Sequence, residues 1–179
     1  MSTRSSGACS DRRLTDPVIK WALAPVVDTN TRLLILGSLP GDASLAAGQY
    51  YAHPRNAFWR LLGQIVDRDL PGLTYPDRLV ALKTAGIGLW DVIAGGERKG
   101  SLDAAIRNAE AANLKALIAT LPALRAVGFN GALAAHTGRR LLGERSGLTL
   151  IDLPSSSPAH ARPFEEKAAV WNRLGMTLR

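Results

Sequence analysis

Leu33-Leu34-Ile35-Leu36-Gly37-Ser38-Leu39-Pro40-Gly41 joins a short apolar run directly to a loop of glycine and proline. An apolar run of this length, ending at such a boundary, is typical of a buried strand in a parallel sheet. The loop leaves the carboxyl end of that strand, where its glycines let backbone amides approach a ligand closely. An ordinary tight turn after a strand explains Gly37–Gly41 equally well, so a functional interpretation needs support from the rest of the chain.

Three more apolar runs repeat this pattern, with helical periodicity between them. We predict strands at Arg32–Gly37, Gly86–Leu89, Leu124–Phe129 and Thr149–Leu153. We predict helices at Asn56–Val66, Pro76–Ala85, Asn113–Leu121, Gly131–Leu142 and Pro163–Leu178, and a further short helix beginning at Asp103. Strands that alternate with helices predict an α/β fold: a three-layer α/β/α sandwich around a central, mostly parallel four-stranded sheet.

Length and composition indicate one globular domain preceded by a basic tail. The chain has 179 residues, of which 46% are hydrophobic, enough for a single core. We expect residues 1–14 to be a disordered tail and residues 15–179 to form the domain. No apolar signal segment is visible, and the apolar runs are too short to span a membrane. We therefore expect a cytoplasmic, bacterial-type protein.

The charge and the cysteine count restrict partners and cofactors. A net charge of +7 favours a polyanionic partner such as nucleic acid, although a general excess of scattered arginines would give the same total. Cys9 is the one cysteine, which excludes an internal disulfide and a cysteine-ligated zinc or iron–sulfur site. Phosphate-binding loops and the serine-hydrolase elbow are missing, and the three histidines lack metal-ligand spacing. We expect no cofactor and no metal.

Amide, hydroxyl and aromatic side chains remain as candidates for chemistry. The tyrosines of Tyr50-Tyr51 could stack on a ring or belong to the core. Asn56 could orient a water molecule or cap the helix that follows it. Ser155-Ser156-Ser157-Pro158-Ala159-His160 could contact phosphates through hydroxyl and amide groups, or be a simple connector. Three loops, Gly37–Gly41, Phe129–Gly131 and Pro154–His160, leave the carboxyl ends of predicted strands, so they should share the rim where such sheets bind ligands.

Taken in order, these segments resemble the uracil-DNA glycosylase superfamily from about Arg32 to the last helix. Gly37–Gly41 is similar to its first motif, and Leu153–Ala159 is similar to its second. His53-Pro54-Arg55-Asn56-Ala57-Phe58-Trp59 resembles a string of the mismatch-specific uracil and thymine glycosylases. Those enzymes carry a water-positioning asparagine in the first motif, where this chain has Leu39, which has no polar side-chain atom.

This departure makes the chain most similar to the hypoxanthine-DNA glycosylase branch, which Gly86–Ile93 and Phe129–Gly131 also resemble. The resemblance implies a monofunctional, monomeric repair enzyme that flips a deaminated base, hypoxanthine and also uracil, out of DNA. It then hydrolyses the N-glycosidic bond through an oxocarbenium-like sugar.

The same resemblance implies a role for each motif. It places the catalytic role on Asn56 and base binding on Gly37–Gly41, Tyr51 and Asn130. It implies that Ser155–Ser157 hold phosphates, and that Pro158, Ala159 and His160 lie at the vacated base stack.

Three other functions stay open at this point. A uracil or thymine glycosylase specific for G:U and G:T mismatches would share the motifs. A non-catalytic DNA-damage-binding module would keep the basic surface without a water-positioning amide. An enzyme acting on free nucleosides would show no salt-sensitive binding to DNA, because phosphate contacts make DNA binding strongly dependent on salt.

Overall fold

The computed structural model describes residues 19–143 and 147–178. The predicted tail of residues 1–14 lies outside the described residues. In chain order the elements are β1 (Ile19–Trp21), β2 (Leu33–Gly37), α1 (Asp42–Ala47), α2 (Phe58–Val66), α3 (Tyr75–Thr84), β3 (Ile87–Asp91), β4 (Ile93–Glu97), β5 (Arg107–Ala111), α4 (Leu114–Ala119), β6 (Ala126–Asn130), α5 (Ala132–Leu142), β7 (Thr149–Leu153) and α6 (Phe164–Trp171). Short 3-10 helices cover Asp103–Ala105 and Asn172–Thr177.

The central sheet is parallel and runs in the order β3-β2-β6-β7. Its strands are the four that the apolar runs predict, with ends that differ by up to two residues. Gly37 at the end of β2 pairs with Asp91 at the end of β3, and Asn130 pairs with Leu153 on the other side. The carboxyl ends of all the strands therefore meet at one edge of the sheet.

Helices cover both faces of this sheet, so the three-layer α/β/α prediction is confirmed. Along β2, Leu33 and Ile35 pack with α2, α3 and α6 on one face. Leu34 and Leu36 point to the other face, where α4 and α5 pack. The whole of β2 is buried because both of its faces are covered, which is why its sequence is a continuous apolar run.

A second, antiparallel sheet in the order β1-β4-β5 was not predicted. Its β5 strand, Arg107–Ala111, is exposed along its whole length, so it has no apolar face to reveal it. In β4, Gly95 lies against Trp21, whose ring would be 2.6 Å from a Cβ atom at that position. The glycine is thus required for packing, although in the sequence it indicates a loop.

The two sheets are joined by a single residue, Val92. Its backbone N–H donates to the carbonyl of Gly37 at 2.9 Å, and that of Ile93 donates to Ser38 at 3.1 Å. This junction holds the small sheet beside the loop that leaves β2. Within the described ranges, no helix is long and apolar enough to cross a membrane.

Candidate active site

A cavity of about 560 Å³ opens at the carboxyl edge of the central sheet. Its lining includes every site residue that the sequence predicts: Gly37, Ser38, Leu39, Pro40, Gly41, Tyr51, Asn56, Asn130, Ser155, Ser156, Ser157, Pro158, Ala159 and His160. A second cavity of about 430 Å³, between α2 and Phe164, contains none of them and has both acidic and basic residues along its wall. The predicted residues are thus brought together in one place, and the larger cavity is the candidate active site.

The Gly37–Gly41 loop packs tightly against polar groups. A Cβ atom on Gly37 would lie 2.5 Å from Asp91 Oδ1 and 3.1 Å from Tyr51 Oη, so only glycine fits there. Ser38 Oγ donates a hydrogen bond of 2.6 Å to Asp103 Oδ1. Leu39 is only 5% exposed and packs into the core. The polar atoms that this loop presents to the cavity therefore come from its backbone and from Ser38.

Asn56 caps its helix and lines the cavity at the same time. Its Oδ1 accepts a hydrogen bond of 3.0 Å from the backbone N–H of Phe58, and its own N–H donates to the His53 carbonyl at 2.9 Å. Helix α2 consequently begins at Phe58 rather than at the predicted Asn56. The cap uses one lone pair of the amide oxygen and leaves the second lone pair and both Nδ2 hydrogens for a ligand.

The two adjacent tyrosines have different environments. Tyr50 is 3% exposed and its hydroxyl approaches the carbonyls of Leu23 and Ala24 at 3.1 Å, so it belongs to the core. Tyr51 has a left-handed backbone (φ 54°) and stacks on Phe58 with ring centroids 3.5 Å apart. Its hydroxyl has no hydrogen-bond partner among the described residues. Tyr51 therefore brings a buried, unpaired polar atom to the cavity wall.

Asn130 and Ser156 are joined by two hydrogen bonds. Asn130 Nδ2 donates to Ser156 Oγ at 2.9 Å, and the Ser156 backbone N–H donates to Asn130 Oδ1 at 2.8 Å. Asn130 keeps one amide hydrogen and one oxygen lone pair for a ligand. Ser156 is 1% exposed, so its hydroxyl does not lie at the protein surface, and contact of the Ser155–Ser157 loop with phosphate stays a prediction. That hydroxyl is buried against Asn130 and connects β6 to the Ser155–Ser157 loop.

Helix α6 supports the same serine loop from behind. Trp171 Nε1 donates to the Pro154 carbonyl at 2.9 Å, and Lys167 Nζ donates to the Ser157 carbonyl at 3.2 Å. Burial lowers the pKa of Lys167, and Arg162 lowers it further. Pro158, Ala159 and His160 are exposed at the rim of the cavity. Hydrogen bonds from α6 thus hold the loop at Pro154 and Ser157, whereas residues 158–160 are exposed.

Asp91 is a cavity residue that the sequence did not single out. It is 3% exposed, and its Oδ2 has no hydrogen-bond partner among the described residues. Burial raises the pKa of Asp91 to about 7; Arg98 opposes this effect and Asp103 adds to it. The predicted strand stops at Leu89, so Asp91 appeared to lie in a loop rather than at a strand end beside Gly37.

Tyr51 is subject to the same low-dielectric surroundings. Burial and then Asp91 raise the pKa of the Tyr51 hydroxyl, so it stays protonated. The Asn130 amide opposes the rise, although the two groups are not in hydrogen-bond geometry. Below about pH 7 the carboxyl of Asp91 is neutral, and beside the neutral phenol of Tyr51 it makes a wall that donates hydrogen bonds to an uncharged polar ligand.

Fold and cavity define an α/β/α protein with a ring-sized site of amide, hydroxyl and aromatic groups at the carboxyl edge of a parallel sheet. In the described part of the chain, no group of three or more His, Cys, Asp or Glu residues could hold a metal ion. The chemistry available to these side chains is hydrogen bonding, ring stacking and the orientation of water.

Known proteins agree with this description. The model of the Uracil DNA glycosylase superfamily matches residues 24–175. Hypoxanthine DNA glycosylase of Methanosarcina barkeri is 42% identical over 154 residues, which cover 85% of this chain and 95% of that protein. Hypoxanthine DNA glycosylase of Methanosarcina acetivorans is 40% identical over 157 residues, covering 88% and 98%.

A solved structure shows the same fold. It is the solution NMR structure of a provisionally assigned uracil DNA glycosylase from Methanosarcina acetivorans, with a TM-score of 0.80 and 39% identity. The match covers 90% of this chain and 99% of that one. This chain therefore belongs to the uracil DNA glycosylase superfamily, as its motifs indicated. It is a DNA glycosylase, a hydrolase that releases deaminated bases, and DNA is its substrate.

Proposed function

We propose that this enzyme removes hypoxanthine, and also uracil, from DNA and leaves an abasic site. The observation that supports this most directly is the single cavity that joins Asn56, the Gly37–Gly41 loop and a buried, unpaired carboxyl of Asp91. Two relatives with the name hypoxanthine DNA glycosylase support the choice of a deaminated purine.

The base binds between Tyr51 and Asp91 in this proposal. Hypoxanthine and uracil both present a ring N–H beside a carbonyl oxygen. A neutral carboxyl group can donate to that oxygen and accept from that N–H at once. Because the pKa of Asp91 is about 7, its carboxyl offers this pair of contacts below about neutral pH and loses the donor as pH rises further.

Asn56 holds the attacking water. A neutral amide orients water but is a poor base, so catalysis rests on positioning and on hydrogen bonds to the departing base. Each well-placed donor contributes about 2–4 kcal/mol to such a step. Leu39 cannot take part because its side chain is apolar and buried.

The outer edge of the serine loop meets the DNA. Ser155 and Ser157 are partly exposed and contact phosphates, while Pro158, Ala159 and His160 lie where the flipped base leaves the stack. Flipping costs a few kcal/mol and least for a mispaired base, which favours inosine or uracil opposite a poor partner. The protein acts as a monomer on cytoplasmic, nucleoid DNA, away from membranes.

The reaction stops at base hydrolysis. A lyase step would need an accessible amine in the cavity to form a Schiff base. Lys167 is 4% exposed, donates to the Ser157 carbonyl and is absent from the cavity lining. Its surroundings support a monofunctional glycosylase.

The test is the formation of abasic sites in duplexes that contain inosine, uracil or thymine opposite each normal base. Alkali then cleaves the strand at each abasic site, and gels without alkali report lyase activity. Release of hypoxanthine and uracil, with cleavage only after alkali, supports the proposal. Release of uracil and thymine from G mismatches alone would instead assign a mismatch-specific enzyme. Binding without release would assign a damage-binding module.

A further inference from the structure

Arg98 is a buried cation directly behind the Gly37–Gly41 loop. It follows β4 of the small sheet and is 2% exposed. Its guanidinium donates to the carbonyl of Leu39 at 3.1 Å, to the carbonyl of Pro40, and to the carbonyl of Gly100 at 3.0 Å. Among the described residues it forms no ion pair with a carboxylate. Burying a charge that only backbone carbonyls compensate costs free energy, and packing alone does not require it.

These hydrogen bonds fix the direction of the loop peptides. In a trans peptide the carbonyl and the next N–H point in opposite directions. Since the Pro40 carbonyl points to Arg98, the N–H of Gly41 points away from it; Gly41 lines the cavity and Arg98 does not. In the described structure the Gly41 N–H has no backbone acceptor. With an apolar Leu39, this amide is one of the few donors that the loop can offer.

The charge of Arg98 also acts on the base-binding wall. It lowers the pKa of Asp91, against the larger effect of burial. Other charged groups surround this cluster: Asp103 bonds to Ser38, and Lys20 pairs with Asp42 and shares the Gly100 carbonyl with Arg98. Burial lowers the pKa of Arg98 itself, and Asp103, Asp42 and Asp91 oppose that change.

We propose that Arg98 is a positioning residue for base release: through its hydrogen bonds to the Leu39 and Pro40 carbonyls it holds the Gly41 N–H toward the flipped nucleotide. This inference rests on the proposed function. It assigns to the small antiparallel sheet a direct part in the site, because Arg98 joins that sheet to the first motif loop.

Two substitutions separate the hydrogen-bond geometry of the Arg98 side chain from its positive charge. Arg98→Lys keeps a positive charge but has no planar fork to reach three carbonyls. Arg98→Met removes the charge as well. Arg107→Met is the matched control, because Arg107 lies on the same sheet, is exposed and bonds only to the nearby carbonyls of Ala104 and Ile106.

We would measure single-turnover base release across pH, DNA affinity by anisotropy, and thermal unfolding. Arg98→Lys should lower the rate about tenfold to a hundredfold with DNA affinity unchanged within about threefold, the pattern of a lost oriented donor. The rate should fall as pH rises through the pKa of Asp91. Arg98→Met should move this fall to higher pH, whereas Arg98→Lys and Arg107→Met should leave it in place.

A ¹³C titration of the Asp91 carboxyl by NMR gives the same comparison without catalysis, and Arg98→Gln replaces Arg98→Met if the latter does not fold. An active wild type with an unimpaired Arg98→Lys would overturn the inference. An inactive wild type would instead overturn the proposed function, and this inference with it.

Discussion

Replacement of Asp91 by asparagine tests the electrostatics of the cavity in two independent ways. Asparagine has nearly the same shape but does not titrate. In the folded protein burial raises the pKa of Asp91 from 3.8 to about 7. The folded state therefore holds a proton that the unfolded state releases, and stability falls as pH rises between these two values.

The size of the effect follows from the gap between the two pKa values. At about 1.4 kcal/mol for each pKa unit, the gap between 3.8 and about 7 corresponds to about 4 kcal/mol. Above about pH 7 the wild type carries this full cost, and below about pH 4 it carries none. Asp91→Asn should thus raise the free energy of unfolding by up to about 4 kcal/mol near pH 8 and leave it almost unchanged near pH 4.

Urea unfolding of both proteins at these two pH values gives the comparison. Asp152→Asn is a suitable control because it removes only an exposed ion pair with Arg139, worth less than about 1 kcal/mol. The glycosylase assay adds a second reading: the fall in wild-type rate above about pH 7 should be absent from Asp91→Asn. Equal stability differences at both pH values, or a wild-type rate that rises through pH 7, would refute the reasoning.

Other predictions concern the first motif and the serine loop. Leu39→Asn should raise the rate of uracil or thymine excision from mismatched duplexes, because it places a polar side chain in the Gly37–Gly41 loop. An unchanged rate would mean that the rest of the cavity determines the substrate. Ser156→Ala should cost about 1–3 kcal/mol in urea unfolding and reduce DNA affinity, since it leaves the buried Asn130 amide partly unpaired. An equally stable variant would show that this contact does not hold the loop.

The sequence predicted the central sheet most clearly where its strands β2, β3 and β6 are buried along nearly their whole length. Such strands are continuous apolar runs between glycine or proline, and Leu33–Leu36 is the clearest of them. The small sheet has the opposite character. Arg107–Ala111 is polar and exposed, and β4 contains Gly95, which packs against Trp21, so neither strand has an alternating apolar pattern. Backbone pairing forms this sheet, and a sequence does not display backbone pairing.

The position of the site could be predicted from the sequence, because the order of strands and loops determines it. Its loops follow strands, and the topology of a parallel sheet brings such loops together. The sequence did not reveal Asp91 and Arg98 as site residues, because their roles depend on burial. A sequence does not distinguish a buried arginine from the exposed arginines of the same chain. Nor could the sequence distinguish Ser156 from the serines on either side, since only the fold turns its hydroxyl toward Asn130.

The central claim is that Asn56 holds the attacking water, and base release by variants of this residue tests it. Asn56→Ala removes both the amide and the cap of α2, whereas Asn56→Ser keeps a good capping group and loses only the amide. Both variants should release hypoxanthine about a hundredfold or more slowly in a single turnover, with DNA affinity largely intact. Only Asn56→Ala should lower the free energy of unfolding, by about 0.5–2 kcal/mol. Release at the wild-type rate by Asn56→Ser would contradict the assignment.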